Sequence, residues 1–379
     1  MNRMKTNVSI LKCLTMYGII LFHHFSTRIP NRFIKLTDGF KYESYYYDYI
    51  NNIRGAVSKV SLIMDFLYGH LGNGGNLIFM FITGYFLFGR KIPYSKRIHT
   101  VGKVLFALFF NGVILTFIYY FMFKFFYPSS FNETFRPLFQ FPNWISGENQ
   151  WYLQAYGIFI LFVLPVLKLF EPLLNRKTHL YLFLTFVFMK FLAYTVYLPY
   201  WLISDKLVDF VMCYYGGGYI ANYKNNINWE KISILFCIYI AIFFWYDTYW
   251  RSTCSILFAP SEYSYIDVVS PFICCLTYSF LLFLIFVNIN VEFHPPLAFI
   301  GTAFDKLASS TMDVYIFQSK IISLSFTLAE TFWWNNWSRK GFMVFSKIDS
   351  VIIFSIGFLI SLVRQKAYKC FESSLAKFS

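Results

Sequence analysis

Apolar stretches of about twenty residues, separated by short polar or Pro- and Gly-containing segments, recur along the whole of this 379-residue chain. A helix needs about 20 mostly apolar residues to cross the hydrocarbon core of a bilayer. Ten stretches reach that length, at about residues 8–25, 71–89, 104–126, 152–170, 179–198, 207–223, 232–250, 266–289, 308–328 and 348–364. In lipid every backbone polar group needs an internal partner, and no series of about ten-residue alternating segments suggests a barrel. The expected fold is therefore all-α: a polytopic integral membrane helical bundle of about ten transmembrane helices. It forms one domain over 1–379, with an outer loop over 26–70 between the first two spans. Composition agrees, because 57% hydrophobic and 14% charged residues leave too little polar surface to coat a water-soluble globule. A soluble enzyme, a disordered chain and a disulfide-framed secreted module are excluded. Neither internal repeats nor a sizeable soluble domain is visible.

The formal net charge of +14 would suggest nucleic acid in a soluble chain. Here the basic residues sit between apolar blocks, where they meet anionic headgroups and set orientation, so the lipid bilayer is the expected partner and nucleic acid is not. Arg3, Lys5, Arg90, Lys91, Lys96, Arg97, Lys103, Arg176, Lys177, Lys224, Lys231, Lys306 and Arg364 fall on one side if the chain starts inside. That places both termini in the cytoplasm of a multi-pass cell-membrane protein. The seven Cys lie mainly inside apolar segments at no metal-ligand spacing, so no metal is expected. The first apolar stretch lacks a small-residue cleavage site and reads as a retained helix.

That first helix carries ionisable groups where they are costly. Lys12 and His23 are eleven residues apart, which at about 100° per residue puts them on one stripe, about 16 Å apart along the axis. His24 points about 100° away. One reading has Lys12 snorkelling to inner headgroups and the two His marking the outer interface. The other uses His23 as a general base, with Lys12 holding an anionic or carbonyl-bearing substrate one leaflet below. A second segment, His70-Leu-Gly-Asn-Gly-Gly-Asn76-Leu-Ile-Phe-Met-Phe-Ile-Thr83-Gly84-Tyr85, pairs glycines for close helix approach with Asn76 at a level near His23.

The order Leu-Lys-(ten residues)-His-His, then Gly-Gly-Asn-Leu-Ile-Phe-Met-Phe-Ile-Thr-Gly-Tyr-Phe-Leu, then Trp151-Tyr152-Leu-Gln-Ala-Tyr156 with Pro165, resembles the membrane acyltransferase-3 family. Tyr315-Ile-Phe-Gln318 and a last helix running into Arg364 extend the resemblance over almost the entire chain. It implies transfer of an acyl group, commonly acetyl from cytosolic acetyl-CoA as co-substrate, to a hydroxyl of an extracytoplasmic polysaccharide or glycolipid sugar. His23 matches the family's essential His. Lys12 stands where most members have Arg, keeping the charge without the bidentate fork. Thr83 replaces a usual Ser, and Gln318 a frequent His. Lys96, Arg97 and Lys103 match loosely an Arg-rich stretch and are candidates for the CoA phosphates. A positive inner loop of any membrane protein would look the same.

His24, Asn76, Glu148, Trp151, Tyr152 and Gln318 complete the expected substrate contacts. Outer-loop aromatics such as Trp144 and Trp333 would suit sugar rings or an interfacial belt equally. Lys190, Asp209, Asp267, Asp313 and Lys320 are further polar residues within spans. Asp313 and Lys320, seven apart, share a face as a site wall or a structural pair across helices. The alternative function is a polysaccharide polymerase or flippase acting on lipid-linked repeat units, disfavoured by the scarcity of outer His. A secondary transporter would want inverted repeats and broken helices, and neither is visible.

Overall fold

In the computed structural model, which describes residues 2–27, 74–126, 151–195, 205–226, 228–245, 265–289, 293, 297–332 and 339–375, the apolar stretches fold as helices. Among these residues no strand occurs. In chain order the helices are α1 Asn2–Thr27, α2 Gly74–Leu87, α3 Tyr94–Phe126, α4 Trp151–Leu173, α5 Arg176–Thr195 and α6 Asp205–Tyr223. They continue as α7 Trp229–Trp245, α8 Tyr265–Asn288, α9 Ala298–Ser309, α10 Thr311–Phe332 and α11 Arg339–Leu375. Four contain stretches long and apolar enough to cross a membrane: Thr6–His24, Tyr94–Ile118, Trp151–Leu173 and Val344–Ser374. Their outward faces carry exposed Phe109, Phe117, Phe162, Leu169, Leu359 and Val363, a surface suited to lipid and not to water.

Each of the ten apolar segments overlaps one of these helices, but several ends differ. Helix α3 begins at Tyr94, and α11 runs on to Leu375. Hydropathy sees only the apolar middle of such a helix, whereas the backbone ladder continues through polar turns. Here the two polar extensions hold each other. His99 Nε2 of α3 lies 3.3 Å from Glu372 Oε1 of α11, and Phe106 stacks on Phe371 with centroids 5.7 Å apart. The segment expected at 308–328 is divided at Ser310, whose hydroxyl donates to Leu307 O at 2.6 Å between α9 and α10. Of the expected outer loop, 26 and 27 belong to α1 and the rest lies outside the described residues.

Two apolar cores organise the bundle. One gathers Phe81, Phe159, Phe210, Tyr214 and Phe283 from α2, α4, α6 and α8. The other gathers Met16, Ile20, Leu108, Phe317 and Ile353 from α1, α3, α10 and α11, and Tyr152 of α4 packs against both. Small residues permit a close crossing of α2 on α6. A Cβ on Gly84 would stand 2.6 Å from Tyr214 Cα, and one on Gly217 would stand 2.7 Å from Tyr85 N. Within α4, Pro165 cannot give the usual hydrogen bond and its ring crowds the carbonyl one turn back. The helix widens into a π turn over Phe159–Val163, and the Leu164 N–H reaches back to Phe159 O. After α2 the chain turns at Gly89, whose φ of +70° suits glycine. Glu171 accepts from Gly89 N at 3.2 Å, and Lys168 Nζ donates to Leu87 O at 2.6 Å, fastening this turn to the end of α4.

Candidate functional site

Helix α1 is continuous through Lys12 and His23, so their shared stripe holds. Its neighbours show where each face looks. Tyr17 donates to Lys347 O at 3.4 Å, so that face meets α11. Ile19 and Thr15 face α2, where a Cβ on Gly75 would meet Ile19 Cγ1 at 2.6 Å and Thr15 Cγ2 at 3.0 Å. Met16 and Ile20 pack in the core shared with α3, α10 and α11. At about 100° per residue, His23 falls between the azimuths of Met16 and Ile19, and diametrically opposite Leu14. Leu14, 40% exposed, is the outward-facing side chain of this helix. His23 is half-buried and packs its ring edge-on to Phe22, with centroids 5.6 Å apart. Lys12 is half-buried too, and its acidic neighbour is Asp305 of α9.

His24 turns to the other side and is fully buried. Its Nε2 lies 2.7 Å from Asp349 Oδ2 of α11, and its Nδ1 lies 2.9 Å from Ile20 O. Ser325 of α10 donates to the same Asp349 Oδ2 at 2.7 Å. Ser350, 3.5 Å from Nδ1, spends its proton on Ser346 O at 2.7 Å. Both ring nitrogens thus lie within hydrogen-bond distance of protein oxygens. With the carboxylate beside it, His24 makes a buried charge-assisted link among α1, α10 and α11. Fully buried and tied to α10 and α11 in this way, the ring is held inside the bundle. Between the adjacent imidazoles, the geometry gives His24 a holding role and His23 the interior-facing one.

A second buried charge cluster lies at the opposite end of the α10–α11 pair. Arg364 Nε sits 2.6 Å from Asp313 Oδ1, and Asn111 Nδ2 of α3 donates to the same oxygen at 2.9 Å. The structural pair expected for Asp313 therefore exists, but with Arg364; the Lys320 side chain lies outside the described ones. Lys190 and Asp209 pair with each other across α5 and α6, Nζ to Oδ1 3.0 Å.

The expected cationic residues stand apart from the His pair. Lys96 and Lys103 are exposed on the first turns of α3, and Arg97 is half-buried over the Tyr94 ring at 5.2 Å. Lys103 Nζ lies 5.6 Å from the Tyr368 ring of α11. Tyr368 is nineteen residues from Asp349, about 28 Å along the helix. Trp151 carries Lys206 Nζ over its ring at 4.5 Å, so one indole face is already occupied. Tyr152 lies between Phe79 and Tyr315, with ring centroids 6.5 Å and 5.5 Å away, and its hydroxyl meets that of Thr83. Asn76 is half-buried and Gln318 is 2% exposed. Glu148 lies outside the described residues.

Sequence reasoning passed over Asp349, Ser325, Asn111 and Thr15. Asp349 is a single acidic residue with no partner at helical spacing; only the packing of α11 against α1 carries it to His24. Asn111 and Thr15 are single polar residues in apolar helices and give no spacing signal. Among the described residues, no three of His, Cys, Asp and Glu gather as a metal set. Comparisons with family models, curated proteins and solved structures find no match to this chain.

Proposed function

We propose that the chain is a membrane O-acyltransferase that moves an acyl group, acetyl in the simplest case, from cytosolic acyl-CoA to a sugar hydroxyl on the far side of the membrane. The observation that carries this reading is the pair of adjacent imidazoles near the end of α1. His24 is held by Asp349 at 2.7 Å, so that His23 faces the interior on the stripe of Lys12. In this reading all ten apolar helical segments cross the cell membrane, and both termini lie in the cytoplasm. Lys96, Arg97 and Lys103 then stand at the cytosolic mouth, where their charge suits the donor's phosphates.

In the transfer itself, His23 takes the proton of the acceptor hydroxyl as the oxygen attacks the thioester carbonyl. The new C–O bond forms, the C–S bond breaks, and the proton passes on to the departing thiolate. An acyl-imidazole on His23, formed first and then passed to the hydroxyl, satisfies the same geometry. The about 28 Å between the Lys103–Tyr368 contact and the His24–Asp349 contact requires the whole extended coenzyme, not its thiol arm alone, to reach from mouth to imidazole. Mass spectrometry of the surface glycan from cells with and without the gene tests the reading. The expected result is one added acyl mass per modified unit. Glycan of altered chain length and unchanged unit mass would instead indicate a polymerase or flippase.

A further inference from the structure

Four threonines inside these helices return their hydroxyl to the carbonyl four residues back. Thr83 does so to Phe79 O at 2.9 Å, Thr100 to Lys96 O at 2.8 Å, Thr116 to Gly112 O at 2.9 Å and Thr185 to Tyr181 O at 2.8 Å. Thr15 of α1 does not. It is fully buried, and its Oγ1 is a buried oxygen without a hydrogen-bond partner. Among the other such oxygens, Asn76 Oδ1 belongs to α2 and Gln318 Oε1 to α10.

Helix geometry brings the three to one level. Gly75, next to Asn76, packs against Thr15 and Ile19. Helices α1 and α10 run the same way, since Cys13 reaches Phe304 O just ahead of α10 while Asp349 ties His24 to Ser325 further along both. Gln318 stands seven residues before Ser325, on the same face and about 10 Å along the axis, which puts it level with Met16 and Tyr17. On α10 its azimuth falls between Val314, which meets Gly357 of α11, and Tyr315, which meets Tyr152 of α4. Gln318 thus looks toward α1. Three helices present unpartnered oxygens at a depth between Lys12 and His23. A buried oxygen left without a donor costs about 1–3 kcal/mol.

We propose that Thr15, Asn76 and Gln318 form a binding site for the neutral, amide-bearing arm of the acyl donor, whose N–H groups supply the missing hydrogen bonds on the way to His23. This rests on the acyl-CoA reading and adds to it the residues that recognise the arm rather than the phosphates. No ionic contact is needed at this depth, and an uncharged chain with spaced N–H donors is the ligand that such acceptors select.

The test uses the purified full-length protein in detergent and two probes: coenzyme A, and 3′-phosphoadenosine 5′-diphosphate, which has the nucleotide without the arm. Thr15→Val and Gln318→Met keep the side-chain shape while removing the oxygen. Each is expected to weaken coenzyme A binding by about tenfold and to leave the nucleotide's affinity unchanged. Equal weakening of both probes, or of neither, would overturn the arm site while leaving the acyl-CoA reading in place. A wild-type protein that binds the nucleotide and coenzyme A equally well would overturn it too, and one that binds neither would remove both proposals. Thermal unfolding of each variant without ligand, expected at or above the wild-type temperature because a costly unpartnered oxygen is gone, separates lost binding from lost fold.

Discussion

The two ends of the α10–α11 pair are built alike and differ in one chemical respect. At one end Asp313 meets Arg364 and Asn111; at the other, Asp349 meets His24 and Ser325. Each end ties a third helix to the pair, α3 in the first case and α1 in the second. The Arg364 end joins two fixed charges and an amide, which suits an anchor. The His24 end is next to a second imidazole that faces the interior. A buried link thus serves at one end to hold the bundle and at the other to aim its neighbour. Between them, Gly357 lets the helices close up, because a Cβ there would lie 2.8 Å from Val314 Cγ2.

The sharpest way to break this contrast is at the anchor. Asp313→Leu leaves a nearly buried guanidinium unpaired, which should cost about 3–5 kcal/mol and lower the yield of folded protein from membranes, measured by size-exclusion chromatography and thermal unfolding. A variant that unfolds like wild type would show that the Arg364 link is not an anchor. At the other end, Asp349→Asn keeps the shape and removes the charge, at a cost of about 1.5–3 kcal/mol. The expected signature is split: protein level in the membrane stays near wild type while acyl transfer falls, and Asp349→Glu recovers part of it. Loss of protein in step with loss of transfer would make the two ends equivalent. Gly357→Ala should cost about 1–3 kcal/mol by overpacking, visible as a lower unfolding temperature in detergent. The smallest effect belongs to Glu372→Gln, whose partner His99 is 45% exposed; an exposed pair of this kind contributes about 0–1 kcal/mol.

What could be read from the amino-acid order follows the same division. The apolar stretches announce helices because lipid-facing and core-facing positions are both apolar, so their lengths stand out. The stripe of Lys12 and His23 is legible because it lies within one helix and depends only on the 3.6-residue turn. The partners of His24 and Asp313 are not, since Asp349 and Arg364 come from 325 and 51 positions away, and only the packing of helices sets which meets which. The polar ends of α3 and α11 escaped a reading by hydropathy for a related reason. Those ends meet through His99 with Glu372 and through Phe106 with Tyr368 and Phe371, contacts between two helices that neither segment announces alone.

The most direct measurement is transfer of labelled acetyl from acetyl-CoA to the cells' own surface glycan in isolated membranes, comparing wild type with His23→Ala and with Lys12→Arg and Lys12→Ala. The account predicts that His23→Ala abolishes transfer at an unchanged protein level, that Lys12→Arg retains it and that Lys12→Ala does not. Wild-type transfer by His23→Ala would contradict it.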